Sequence, residues 1–407
     1  MKKALKIAAL LLLTVVVLAG GYAAYVAIVG IPRFEPGHLQ VKVEVTPEKV
    51  AQGRKYVQIL CAGCHMDPTT RQLTGKRLAD LPPQFGVVYS KNITRDPEKG
   101  IGGWTDGELI YFLRTGIDRH GQYVPPYMIK LPLLADDDLE AIVAFLRSDD
   151  PMTAPLAVDP PGRSRPSFLA KLLSHTVFRP LPYPRQRIEK PAPVDRVAYG
   201  RYLSSSLGCF SCHSADFKTM NELEPEKSVG YMGGGNALRD LDGGTIVSAN
   251  ITFDAATGIG KWTEADFTRA VRTGVRPDRT VLRYPMLPIP DLDETDTAAL
   301  YAYLATVPKI ANSVERRVAS LPPGDASAGK RLYYRYGCVS CHSTTGVGIA
   351  DLRHAAEHYP TDERLAAWIR NAPAVKPGTQ MPTFQGVIGE DEYPNLVAYV
   401  KDLGVKR

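Results

Sequence analysis

The sequence predicts an all-α protein in which three small domains follow one another behind an N-terminal transmembrane helix. Three observations support this prediction. A five-residue pattern of two cysteines and a histidine occurs three times, similar helical segments flank each copy, and a long uncharged stretch lies near the N-terminus. The chain of 407 residues is too long for one ordinary core and long enough for three small ones.

The repeated pattern is Cys-x-x-Cys-His, and its copies contain all six cysteines of the chain. The copies are Cys61, Cys64 and His65; Cys209, Cys212 and His213; and Cys338, Cys341 and His342. Two thiols at this spacing can each form a thioether with a haem vinyl group, and the histidine that follows can ligate iron from the proximal side. The sequence therefore predicts three covalently bound haem c groups.

Other uses of paired cysteines fit the pattern poorly. A zinc site would pair two Cys-x-x-Cys groups around one metal and would not need a histidine after every second cysteine. A thioredoxin-type motif would occur once, in a βαβ context, and disulfides would not repeat the same two-residue gap three times. Haem attachment explains every copy.

The N-terminal segment has the composition of a membrane span. Lysines precede an uncharged stretch from Ile7 to Pro32, which is long enough as a helix to cross the hydrocarbon core. Positive charge before the span favours a cytoplasmic N-terminus, so we expect everything after Arg33 to lie on the periplasmic side of the inner membrane. A cleaved signal peptide is the alternative, although Leu18-Ala19-Gly20 is a weak cleavage site.

A short helical segment that opens with glycine and a basic residue precedes each haem motif, at Gly53, Gly200 and Gly329. A final apolar helix ends each repeat and carries an aromatic residue at the same place. Those aromatic residues are Phe145, Tyr303 and Tyr399. We expect the first helix to cross the last, with glycine permitting close approach.

These repeats divide the chain. The predicted segments are the membrane anchor 1–32, domain 1 at 46–150, a proline-rich linker 151–193, domain 2 at 194–308, a linker 309–323 and domain 3 at 324–407. We refer to the three domains as the first, second and third unit.

Three methionines keep a common register with the final helices. Met128 and Met286 each lie 17 residues before the aromatic residue, and Met381 lies 18 residues before it. Each methionine also lies in a loop that contains proline, which stiffens the backbone that would deliver a thioether to iron. The pattern predicts that these methionines are the sixth iron ligands.

Histidine is the alternative sixth ligand. His120 is the rival in the first unit, and His354 and His358 are the rivals in the third. None of them recurs at an equivalent position in another unit, so the methionine assignment is favoured.

The first two units share a longer block. Asn92-Ile93-Thr94 and Trp104 in the first unit match Asn250-Ile251-Thr252 and Trp262 in the second, with a Gly-Ile-Gly sequence between them. We expect each Asn-Ile-Thr to form a turn held by side-chain hydrogen bonds, and the glycines to let backbone lie against the haem. Each indole N–H could donate to a haem propionate, with plain core packing equally open.

The linker 151–193 holds ten prolines, so no further compact domain is expected there. It also contains a short amphipathic patch, Phe168 to Leu173 followed by Val177-Phe178. This patch could pack against a haem domain or contact the membrane surface or a partner subunit.

Charge and motifs exclude other classes. The net charge of +6 is only mildly basic and no run of lysine or arginine occurs, so nucleic-acid binding is not indicated. No Ser/His/Asp, paired-carboxylate or phosphate-loop pattern stands out, and no catalytic residue is predicted. A catalytic haem enzyme would need an open iron position, which three methionine ligands would fill.

The membrane segment, two units with Asn-Ile-Thr and Gly-Ile-Gly-x-Trp, and a third haem unit together resemble the three-haem cytochrome c subunits of membrane-bound periplasmic dehydrogenases, including the alcohol and gluconate dehydrogenase complexes. The resemblance implies that electrons pass from a quinoprotein or flavoprotein catalytic subunit along the haems to quinone or another respiratory acceptor. A stand-alone periplasmic electron carrier between other redox proteins is the alternative function.

Overall fold

The computed structural model describes residues 2–241, 243–314 and 327–405. In these residues the helices are α1 (Lys2–Val29), α2 (Pro47–Leu60), α3 (Ala62–His65), α4 (Asp106–Thr115), α5 (Asp136–Arg147), α6 (Phe168–Thr176), α7 (Arg196–Ser206), α8 (Cys209–His213), α9 (Glu264–Thr273), α10 (Glu294–Leu304), α11 (Ala328–Arg335), α12 (Cys338–His342), α13 (Ala355–His358), α14 (Asp362–Arg370), α15 (Ala372–Val375) and α16 (Tyr393–Val405). The prediction of a helix-rich chain with an N-terminal apolar helix is confirmed. Part of the predicted linker 309–323, from residue 315 onward, lies outside the described residues.

Short strands and 3-10 helices complete the chain. The antiparallel pairs are β1 (Gly86–Val87) with β2 (Arg165–Pro166) and β3 (Ala237–Arg239) with β4 (Thr245–Val247). The 3-10 helices are Pro83–Phe85, Pro151–Thr153, Phe217–Thr219, Pro225–Lys227 and Leu352–His354. The sequence did not predict these strands, because two or three paired residues leave no visible alternation.

In each unit the first long helix crosses the last one at a glycine, as predicted. A Cβ atom added to Gly53 in α2, Gly200 in α7 or Gly329 in α11 would lie 1.8, 1.9 or 2.0 Å from a backbone oxygen of the final helix. Those oxygens belong to Ala141 in α5, Ala299 in α10 and Asn395 in α16. Because no side chain fits at these distances, glycine sets the crossing.

The helices α4 and α9 begin and end at equivalent residues of the block shared by the first two units. Thr105 and Thr263 are the N-caps, and each forms a capping box with the acidic residue three positions later. Gly116 and Gly274 end the helices in the left-handed conformation, with φ of 80° and 79°. Part of the shared sequence therefore encodes helix boundaries.

The buried residues form two clusters. One continuous cluster runs through the first and second units and contains Phe145 and Tyr303. The other contains the buried residues of the third unit, including Tyr399, together with Val281 of the second. The expectation of three separate cores is therefore wrong for the first two units, which share one.

Reciprocal polar contacts join the first two units. Asp138 of α5, 2 % exposed, accepts hydrogen bonds from Tyr56 of its own unit at 2.6 Å and from Tyr202 of the second unit at 2.5 Å. Asp296, the equivalent residue of α10, accepts from Tyr199 of its own unit at 2.8 Å and pairs with Lys55 of the first. Buried carboxylates need such partners, so the two units stabilise each other.

The proline-rich linker wraps the first unit. Strand β2 pairs with β1, and the amide of Asn92 donates to the carbonyl oxygens of Leu156 and Val158 at 2.9 and 3.0 Å. The predicted amphipathic patch forms α6, which packs against the end of α1.

Helix α1 is the one candidate membrane span among the described residues. It is long and apolar enough to cross a bilayer, and the most apolar stretch of it is entirely exposed. An anchor and a signal sequence both have this character.

Candidate haem sites

Each Cys-x-x-Cys-His motif forms a short helix directly after the first long helix of its unit. Helix α3 follows α2 without a break, whereas Gly208 and Gly337, with φ of 70° and 76°, turn the chain into α8 and α12. Positions three apart lie on one face of a helix, so both thiols of a motif face the same side. The six cysteines form no disulfide.

The thiols are held in apolar surroundings. Burial raises the pKa of Cys61 to about 12, of Cys209 to about 11 and of Cys338 to about 12, with the neighbouring cysteine adding to the effect. Buried neutral thiols at this spacing suit covalent attachment of an apolar macrocycle. They do not suit a thiolate-based redox motif, which needs a lowered pKa.

The three histidines share one orientation. In each, Nδ1 donates a hydrogen bond to a backbone carbonyl oxygen, which leaves Nε2 as the nitrogen that can bind iron. The acceptors are Lys91 at 2.7 Å from His65, Ala249 at 2.7 Å from His213 and Ala350 at 3.4 Å from His342. Burial lowers the pKa of all three rings, to about 4 for His342, and so favours the neutral ligand form.

The three predicted methionine ligands are all half-buried. Met128 packs against the cluster of the first two units, and Met381 packs against that of the third. Met286 lies on a loop of the second unit whose Tyr284 contacts the cysteine region of the third. Ligation of iron by these sulfur atoms stays a prediction.

The rival histidines are placed less favourably. His120 and His358 are exposed, and Nδ1 of His354 bonds the carboxylate of Glu357 at 3.0 Å. Two other methionines, Met152 and Met232, are buried in the core, as expected for packing residues.

The Asn-Ile-Thr turns form as predicted. Asn92 Oδ1 accepts from the backbone N–H and the hydroxyl of Thr94 at 2.9 and 2.7 Å, and Asn250 does the same for Thr252 at the same distances. The glycines that follow lie against the loop itself, since a Cβ on Gly100 would meet the carbonyl oxygen of Thr94 at 2.3 Å. Their small size is needed for that turn.

The tryptophans after these turns are half-buried beneath guanidinium groups. Arg119 lies 5.9 Å from the ring centroid of Trp104, and Arg276 lies 5.9 Å from that of Trp262. Donation of the indole N–H groups to haem propionates stays a prediction.

Sequence reasoning missed Lys130, two residues after Met128. Its side chain is 9 % exposed, its ammonium lies 5.4 Å from the ring of Tyr123, and its Nζ has no hydrogen-bond partner among the described residues. Burial lowers the pKa of Lys130 to about 8. A buried cation without a hydrogen bond fits a haem propionate, so the residues present suit this cofactor.

Comparison with known proteins agrees with these sites. Residues 324–400 match the family of cytochrome c oxidase, cbb3-type, subunit III. The chain is 25% identical to the gluconate 2-dehydrogenase cytochrome c subunit of Pantoea cypripedii, over 84% of this chain and 82% of that one. It is 27% identical to the cytochrome c subunit of the quinone alcohol dehydrogenase of Gluconobacter oxydans, over 71% of this chain and 62% of the relative.

A further relative belongs to the nicotinate dehydrogenase of Pseudomonas putida and is 26% identical over 84% of this chain, which spans only 29% of that relative's length. The chain is thus a c-type cytochrome, with covalently bound haem c and a role in electron transport. More particularly, it is related to the cytochrome c subunits of dehydrogenases, which confirms the resemblance predicted from the sequence.

Proposed function

We propose that this chain is a membrane-anchored three-haem cytochrome c. It passes electrons from the catalytic subunit of a dehydrogenase to quinone or another respiratory acceptor. The observation that carries the proposal is the threefold repetition of one site. Each copy combines a glycine crossing, a helix with both thiols on one face, and a histidine whose Nδ1 is bound to a carbonyl oxygen.

Within each site the residues have separate roles. The cysteines hold the haem by thioether bonds, the histidine ligates iron on one side and the methionine on the other, and haem supplies one-electron oxidation and reduction. The carbonyl oxygens that accept from Nδ1 fix the ring orientation and strengthen the histidine as a ligand. Lys130 pairs with a propionate in the first unit.

The three haem domains have the predicted boundaries, 46–150, 194–308 and 324–407, with 1–32 as the anchor. The shared core of the first two supports treating them as one folded body that carries two haems. The third domain carries one haem and has its own core.

The contact between α1 and α6 supports a position at the membrane surface. Lys171 of α6 donates to the carbonyl oxygen of Ala27 at 3.2 Å, and Nε2 of His175 bonds that of Gly30 at 2.8 Å. Phe168 and Val177, 45% and 64% exposed, sit at either end of α6. We place these apolar side chains in the lipid interface on the periplasmic side of the inner membrane.

The test is co-purification. The full chain, tagged at its C-terminus and extracted from membranes in mild detergent, should bring down one large dehydrogenase subunit in constant ratio, identified by mass spectrometry. The substrate of that enzyme should reduce the haems in the purified complex. A haem-loaded chain that purifies alone, and that a mixture of periplasmic redox proteins reduces, would be the stand-alone carrier instead.

A further inference from the structure

Asp80 and Tyr284 form a hydrogen bond between the first and second units. Asp80 lies in the loop that follows the first haem motif, and Tyr284 precedes Met286 in the second unit. The tyrosine hydroxyl donates to Oδ2 of Asp80, and both side chains are partly buried. A carboxylate in such a place acts on its neighbours through a lower dielectric than water.

This pair lies close to one cysteine of every haem motif. Burial raises the pKa of the Cys64 and Cys212 thiols, and the Asp80 carboxylate raises it further in each, so Asp80 lies near both. Burial also raises the pKa of Cys341, which the backbone N–H of Tyr284 partly reverses by a hydrogen bond. These three are the second cysteines of their motifs, which hold the edge of each haem.

Other contacts hold the third unit at the same place. Arg71 of the first unit donates to the carbonyl oxygen of Ile349 at 3.3 Å. In the second unit, a Cβ on Gly274 would lie 2.9 Å from Cβ of Pro382, next to Met381. The junction therefore involves all three units.

One cation faces this junction as well. Lys76 lies on the same loop as Asp80, and it lowers the pKa of Cys64 where Asp80 raises it. The two charges therefore act on the first haem motif in opposite directions, and removing either one leaves the other uncompensated.

We propose that Asp80, oriented by Tyr284, is a positioning residue that lowers the redox potentials of the haems attached at Cys64 and Cys212. An oxidised haem carries one more positive charge than a reduced one, so a nearby carboxylate stabilises the oxidised form. In each transfer one haem loses an electron, the next gains it, and Asp80 is unchanged. The inference rests on the proposed function, because it requires haem at all three motifs.

Redox titration of the purified full-length chain tests this directly. Mediated potentiometry, followed through the visible haem absorption, resolves three one-electron components. Asp80→Asn should shift the oxidation equilibrium of one or two components about tenfold toward the reduced form, which is 59 mV for one electron. Lys76→Gln should shift it in the opposite direction, and Tyr284→Phe should give a smaller shift in the direction of Asp80→Asn.

The matched control is Asp137→Asn, which removes an exposed carboxylate paired with Arg187. It should leave all three potentials unchanged. Unchanged potentials in Asp80→Asn, or an equal shift of all three components, would overturn the inference. Haem content measured on the same samples separates the two proposals, since fewer than three haems would contradict the proposed function itself. If Asp80→Asn does not mature, Lys76→Gln and Tyr284→Phe decide the question in the same way.

Discussion

The first two units and the third use the same carboxylate position in different ways. Asp138, Asp296 and Glu392 each lie seven residues before the aromatic residue of their final helix. The two aspartates accept hydrogen bonds from the neighbouring unit. Glu392 instead accepts from Tyr336 of its own unit at 2.5 Å. One repeated position therefore fuses two units and leaves the third self-contained.

This difference separates what is shared by a haem unit from what joins haem units. The glycine crossing and the histidine orientation are common to all three units, so they belong to the single site. The tyrosine and lysine partners of Asp138 and Asp296 belong to the fusion of the first two. We expect the first two units to unfold together and the third to unfold independently.

The largest expected effect comes from the glycine crossings. Gly200→Val would place atoms against the carbonyl oxygen of Ala299 and should destabilise the first two units together by about 3 kcal/mol or more. Gly329→Val should lower only the unfolding transition of the third unit. Scanning calorimetry of the full chain measures both transitions.

The control for these variants is Gly63→Ala, because Gly63 has no atom within 4 Å of an added Cβ. It should leave both transitions in place. A single transition that moves as a whole in every variant would contradict the division into two bodies.

The second comparison is between Asp138→Asn and Glu392→Gln. Asp138 is buried and binds Tyr56 and Tyr202, so its loss leaves paired phenols unsatisfied and should cost about 3 kcal/mol. Glu392 is more exposed, so its loss should cost less than about 1 kcal/mol. Urea unfolding, followed by far-ultraviolet circular dichroism, gives both values. Equal costs would show that burial does not distinguish the two positions.

Acid should act on the third unit through Glu392. The hydrogen bond from Tyr336 holds the pKa of Glu392 below its ordinary value, so its contribution is present above that value and is lost as the pH falls through the folded-state pKa. The unfolding temperature of the third unit should thus fall on acidification below about pH 4.5. Glu392→Gln should reduce this slope, and an identical slope in the variant would exclude Glu392 as its source.

The methionine assignments predict effects confined to one haem each. Replacing Met286 or Met381 by leucine removes a thioether ligand and should lower one potential by on the order of 0.1 V. The sulfur-to-iron absorption of the oxidised protein should weaken in parallel. Met152→Leu is the control, because Met152 packs in the core with its sulfur accepting from Gln58. A Met286→Leu protein with unaltered spectrum and potentials would show that another group ligates that iron.

The smallest expected effect concerns the membrane surface. A spin label on Phe168→Cys in lipid nanodiscs should be more accessible to oxygen than to a water-soluble nickel complex, because α6 lies in the interface. A label on Val375→Cys, at a residue of similar exposure in the third unit, should show the reverse. Preferential nickel accessibility at both positions would remove α6 from the membrane.

The sequence predicts most of each single site. The glycine and the aromatic residue identify the crossing helices because both positions recur in all three units, and Asn92 and Asn250 identify turns because their hydrogen bonds are local. The fusion of the first two units could not be predicted, because Tyr202 lies 64 residues from Asp138 and no periodicity indicates which unit a carboxylate faces. Lys130 was missed for a related reason, since burial of one lysine in a loop leaves no pattern.

The central claim is that three equivalent sites each hold one covalent haem. Intact mass spectrometry of the mature full-length chain under denaturing conditions tests it most directly, since thioether-bound haem survives denaturation. The account predicts the polypeptide mass plus three haem groups, falling to two in a protein with both Cys338 and Cys341 replaced by alanine. A fully matured chain that carries two haems or fewer would contradict it.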